Sequence, residues 1–175
     1  MLLETPESTE PFDWTQAGVA LADALLAQYA HTASDPVLAS AKDIAEAAWA
    51  ASERHGLSYL SSTAATTLIS ALQATGTRHG NFEELERAKN LVRSRLAAIS
   101  RETSVVEWSN LQMKLGDVCR AMYALRPHPA HLNEALTAFR AAIAASPELD
   151  ANLAAKQRGL DEALREQQRL VGRQV

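Results

Sequence analysis

Residues 108–147 read WSNLQMKLGDVCRAMYALRPHPAHLNEALTAFRAAIAASP, and this stretch decides the fold. Apolar residues recur in it at spacings of three and four, the period of a helix with one buried stripe. Pro127 and Pro129 separate two such runs, so the stretch reads as a pair of helices joined by a turn. Moved back by 47 residues, and by 47 again, the pattern falls on itself. Leu115 lands on Leu68 and Leu21, Leu132 on Leu85 and Leu38, and Ala135 on Ala88 and Ala41. Trp108 lands on Trp14 after two shifts, and Ile143 lands on Leu96 and Trp49. Three gapless units of this kind predict a helical repeat, in which each unit buries its apolar face on a neighbour.

The bulk numbers agree with that reading. The chain has 175 residues, 47% of them hydrophobic, enough for one domain with its own core. Ala and Leu dominate, and both favour helices. The net charge of −4 leaves no basic footprint for nucleic acid. Met1 to Glu10 is acidic and lacks the basic and apolar regions of a signal peptide. No apolar run reaches the ~18 residues of a membrane span, so a cytoplasmic setting is expected. Cys119 is the only cysteine; its register partners Leu25 and Leu72 predict a buried, structural thiol.

Seven helices follow from the turn signals. The expected spans are about 12–30, 35–55, 58–75, 82–100, 104–125, 130–145 and 148–170. Asp35 before Pro36 predicts a capped start for the second helix, and Gly56 a left-handed stop. Gly76 is expected to end the third, with Gly80 and Asn81 completing the turn. Glu83, Glu84 and Glu86 early and Arg93 and Arg95 late suit the dipole of the fourth. The last helix is the most polar and is expected to cap the array with a wet outer face. The resulting division is an irregular acidic leader over 1–11 and one domain over 12–175. Within that domain the repeats span about 12–56, 57–103 and 104–147, followed by a capping helix over 148–171.

From Ala135 onward the third unit runs Ala-x3-Phe-x2-Ala-x4-Pro through Phe139, Ala142 and Pro147, and Leu115-Gly116 sits upstream. It resembles a tetratricopeptide repeat. Small residues at Gly116, Ala135 and Ala142 would let two antiparallel helices approach closely, with Phe139 filling the gap beside them. The usual unit has about 34 residues, so each helix here is about two turns longer. Trp108-x3-Gln112-x2-Leu115-Gly116 is similar to the first helix of long-repeat bacterial members. Unit one keeps Leu21, Ala22, Ala41 and Ala48; unit two keeps Leu68 and Ala88 but has Ser61, Ile69 and Arg95 at motif positions. The resemblance implies an all-α fold: a right-handed α-solenoid of three antiparallel helix pairs plus a C-terminal capping helix.

It also implies a site. Members of this family bind extended protein segments along a concave face lined by the first helix of each pair. Those columns hold Gln16, Val19, Asp23 and Leu26; Thr63, Thr66, Ser70 and Gln73; and Asn110, Met113, Asp117 and Arg120. In each helix they run i, i+3, i+7, i+10, one face. The lining is small, neutral and hydrogen-bonding, suited to the backbone of an extended chain. It lacks the lysines of the family's carboxylate-binding form: Lys42, Lys89, Lys114 and Lys156 all fall elsewhere.

Other residue sets point to less. His128 and His131 flank Pro129 with no further ligand at metal spacing, so no metal or other cofactor is expected. Gly76 to Gly80 lacks the lysine and hydroxyl residue of a phosphate loop. Glu83-Glu84, Glu86, Glu134 and Asp161-Glu162 read as solvated helix faces, and Trp14, Trp49 and Trp108 as core. The expectation is a non-enzymatic protein-interaction module, an adaptor or scaffold whose partner is another protein or peptide, with no nucleic acid and no membrane. Self-assembly through the first repeat, which carries Phe12, Trp14 and Leu26, is the alternative. A small-molecule or catalytic helical domain is the remote one.

Overall fold

A computed structural model describes residues 9–146 and 150–171. Among these the protein is all-α, with seven helices and no strand. They are α1 (Pro11–Thr32), α2 (Asp35–Arg54), α3 (Ser58–His79), α4 (Phe82–Ala98), α5 (Val105–Leu125), α6 (Pro129–Ala145) and α7 (Leu153–Val171). The starts of α1, α3 and α5 are 47 residues apart, as are those of α2, α4 and α6. Helix α7 opens 48 residues after α5, so it continues the series of first helices.

Helix α7 begins at Leu153 rather than at about 148, and the start of α2 and the stop of α3 also depart from the sequence reading. Asp35 is the first residue inside α2 rather than its cap; Ser34 takes the cap position, and the Asp35 carboxylate accepts from Arg78 Nε at 2.8 Å. Gly76 does not end α3. It is buried within the helix, and Gly80, at φ +63°, supplies the left-handed cap. The Gly80 and Asn81 amides both donate to the Gly76 carbonyl, which carries α3 a full turn beyond the expected stop. Gly56 does adopt positive φ. Pro147, expected to stop α6, lies outside the described residues, as does most of the 1–11 leader.

The chain packs as two compact units, Met1–Glu84 and Leu85–Val175; the division falls one turn into α4. In the first, α3 packs on both α1 and α2. Val19 of α1, Ala48 of α2 and Ala64 of α3 share one apolar cluster with Trp49 against it. Gly18 permits this closeness: a Cβ there would lie 3.2 Å from that of Ala48. In the second unit α7 packs on α5 and α6 in the same way. Ser109 meets Ala142 while Gly116, two turns on, meets Phe139, so α5 and α6 are antiparallel. The register columns are core: Leu38, Leu85 and Leu132, and Ala41, Ala88 and Ala135, are all within 1% of complete burial. Leu21 breaks its column, 37% exposed where Leu68 is 2% and Leu115 is 8%.

Phe139 shows what the small residues do. Its ring is fully buried between Gly116 of α5 and Gly159 of α7. A Cβ would stand 2.7 Å from the ring at Gly116 and 2.5 Å at Gly159, distances that real side chains do not adopt. The first contact matches the motif; Gly159 lies outside it.

Candidate functional site

The expected groove positions divide between the two units. In the first, α1 and α3 run parallel, since Val19 clusters with Ala64 and Asp23 meets Thr67 one turn farther along both. Thr67 Oγ1 donates to Asp23 Oδ1 at 2.9 Å and ties the helices together. Gln16, Asp23 and Thr63 are exposed, and Leu26, Thr66, Ser70 and Gln73 are half-buried. Val19 is 6% exposed and belongs to the core cluster, so it offers a partner nothing. The hydroxyls of Thr66 and Ser70 turn back onto their own helix, donating to the carbonyls of Ser62 and Thr66 at 3.0 Å each.

In the second unit Asn110, Met113, Asp117 and Arg120 are all half-buried on α5, because α7 lies alongside. The Asn110 side-chain carbonyl accepts from Asn152 Nδ2 at 3.3 Å, and Arg120 is paired with Glu162. Asp117 sits between these two links. Burial pushes its carboxyl above the ordinary carboxylate range, while the positive charges of Lys114 and Arg120 oppose that push. No hydrogen bond reaches it from the described residues. A half-buried carboxylate without a donor is poised for a hydrogen-bonding or basic group.

A second polar cluster was not legible in the sequence. Lys156, at the inner face of α7, is completely buried. Its Nζ donates to Ser109 Oγ at 2.6 Å, Ser146 Oγ at 2.9 Å and Asp150 Oδ2 at 2.5 Å. Ser109 Oγ in turn donates to the Ala142 carbonyl at 2.7 Å. Hydrogen bonds from Lys156 and Ser146 hold Asp150 down at about 2. A serine beside a lysine amine can serve nucleophilic chemistry. Here the amine is enclosed, all three of its donors are used, and a carboxylate neutralises it, so the cluster clamps α7 onto α5 and the α6 end. The register offered a signal, since Lys156 stands 47 residues after Ser109.

Several charges expected on solvated faces are engaged. Glu84 is 8% exposed and accepts from Lys42 at 3.0 Å. Glu134 is bridged by Lys89 and Arg93, each at 2.5 Å. Burial raises its carboxyl, but those two hydrogen bonds outweigh it and leave the group below its ordinary range. Cys119 is buried and its thiol is pushed up to about 12, by burial first and the Glu134 charge second, which makes it inert. Trp14, Trp49 and Trp108 are half-buried; the Arg101 guanidinium lies 5.0 Å from the Trp108 ring centre. His128 caps α6 by accepting from the Ala130 amide at 3.2 Å, and its ring lies edge-on to His131 with centres 5.9 Å apart. Among the described residues no three His, Cys, Asp or Glu side chains converge, and no helix is long and apolar enough to cross a membrane.

Comparison of the chain with family models, curated proteins and solved structures finds no match.

Proposed function

We propose that this chain is a non-catalytic protein-interaction module similar to tetratricopeptide repeats, binding an extended segment of a partner protein along its first-of-pair helices. Asp117 carries the reading: a carboxylate lifted by burial, with no donor among the described residues, in a row with Asn110, Met113 and Arg120. In the second unit the face includes Asn152, just ahead of α7, and Glu162 on it, which continue that row. In the first unit it comprises Gln16, Asp23, Leu26, Thr63, Thr66, Ser70 and Gln73, without Val19. Amides and hydroxyls can both donate to and accept from an extended backbone, and Asp117 favours a segment with a basic residue.

Photo-crosslinking tests this reading. A crosslinking residue at Met113 or Gln73 should capture a partner in native lysate, and one at exposed Arg140 should not. Replacing Asn110, Asp117 and Arg120 together by alanine should abolish the capture while circular dichroism stays helical. An unchanged partner set from the folded triple variant would refute the assignment.

A further inference from the structure

Among the described residues nothing covers the face of α1 turned away from α2 and α3. Asp13, Ala17, Ala20, Ala24, Ala27 and His31 recur along it at alternating spacings of four and three, and all six are exposed. This is one straight stripe down the helix. Beside it lies Leu21, also exposed. The equivalent positions of α3 show what such a face does when a neighbour is present. Leu60, Ala64, Thr67, Leu68 and Ala71 are each 4% exposed or less, and α1 and α2 pack on that helix. The face of α1 is therefore a repeat-to-repeat surface without its neighbour.

Small residues alone would say only that another helix can come close. The order of the residues says which helix. The stripe is self-complementary under reversal about position 22: in an antiparallel pair Ala20 faces Ala24 of the second copy, Ala17 faces Ala27 and Asp13 faces His31. Reversal thus sets an acidic side chain against a basic one at both ends, with alanines throughout between them. Same-side flanks meet in such a pair, so the two Leu21 side chains close over the alanines. The helix dipoles also oppose favourably, each positive end lying beside a negative one. Helix α1 contains no Lys or Arg, so its only basic group is the His31 that this register pairs with Asp13.

We infer that the protein forms a two-fold symmetric homodimer through an antiparallel α1–α1 contact centred between Ala20 and Ala24. The stripe is about 27 Å long at ~1.5 Å per residue, which places it at the small end of protein interfaces. The dimer is accordingly weak and forms at micromolar concentration. It leaves Asn110, Met113, Asp117 and Arg120 untouched, so it does not depend on the binding role proposed for them.

Sedimentation velocity on the full chain from about 1 to 200 μM decides the matter. The expected result is a concentration-dependent species of twice 18.9 kDa. Symmetry counts each substitution twice, so Ala24→Glu, or independently Ala20→Lys, should weaken association by at least about tenfold. Circular dichroism is expected to remain unchanged because both positions are exposed. Asp13→Lys should also weaken the dimer, and adding His31→Glu should restore it by reversing the end pairs. A monomer throughout the range, association indifferent to Ala24→Glu and Ala20→Lys, or failure of His31→Glu to rescue Asp13→Lys would overturn the proposal. A partner set unchanged in the folded triple groove variant, with normal dimerisation, would instead refute only the groove.

Discussion

Helices α1, α2 and α3 and helices α5, α6 and α7 are the same three-helix arrangement displaced by 94 residues, yet they hold their third helix by different chemistry. In the first set the inner corner holds neutral hydroxyl groups. Thr15 is fully buried there with no hydrogen-bond partner for its Oγ1 among the described residues, and Ser52 turns onto its own helix at the Trp49 carbonyl, 2.7 Å away. In the second set the matching residues are Ser109 and Ser146, and both accept from Lys156. Asp150 then supplies the counter-charge at the position where the first set has Gly56. A buried ammonium is tolerated only with its acceptors and a carboxylate in place. Once one lysine entered the inner face of α7, the other three positions were constrained with it. The glycines differ similarly: Gly18 faces a methyl group, whereas Gly116 and Gly159 face the two sides of a ring.

The largest effect should come from removing the counter-charge. Asp150→Ala leaves Lys156 buried and uncompensated, and should cost about 3–5 kcal/mol in urea unfolding; Asp150→Ala combined with Lys156→Met, which removes both charges, should cost much less. Equal losses for the two variants would mean that the ion pair is not what clamps α7. The same pair fixes a pH dependence. Asp150 titrates at about 2 when folded, below its ordinary ~3.9 in the unfolded chain, so its contribution is complete above pH ~4 and lost as pH falls towards 2. Asp150→Asn should flatten that part of the stability–pH curve.

The glycine contrast comes next. Gly116→Ala and Gly159→Ala press a methyl group onto an immobile ring and should each cost about 1–3 kcal/mol. Gly18→Ala needs only a few tenths of an ångström of adjustment, and the better helix propensity of alanine should offset much of that. Thermal unfolding of the three variants tests the difference, and equal losses would erase it. Smaller still is the hydroxyl contrast. Thr15→Val removes an orphaned group and should be neutral or stabilising by up to about 1 kcal/mol, while Ser109→Ala takes an acceptor from a buried ammonium and should destabilise. Least of all, Asp35→Asn breaks an exposed pair with Arg78 and should leave the melting temperature unchanged within error.

The helical architecture was legible because helix periodicity and turn chemistry are local. The apolar spacing, the prolines at 36 and 129 and Gly56 located helices within a few residues of their observed ends. The third-unit motif likewise anticipated the contact between Gly116 and Phe139. Apart from the α3 stop, which lies at Gly80 and not at Gly76, and the start of α7, the misreadings share a cause, since each depended on a residue distant in sequence. Asp35 was read as a cap because Arg78 lies 43 residues away, and Glu84 and Glu134 were read as solvated because Lys42 and Lys89 lie 42 and 45 residues away. Val19 sat in a groove column by periodicity, but Ala48 and Ala64 close over it. Gly159 inside a polar helix was a visible signal of close packing.

By itself the sequence determined the period, the number of helices and the columns that become core, because these follow from side-chain spacing and backbone chemistry. Tertiary structure alone decided which polar residues are spent internally. Lys156, Asp150 and Ser109 look like surface residues until α7 lies against α5, and Ala17, Leu21 and Ala24 look like core until no helix covers them. Burial is a property of neighbours, and only the packed chain says which neighbours are present.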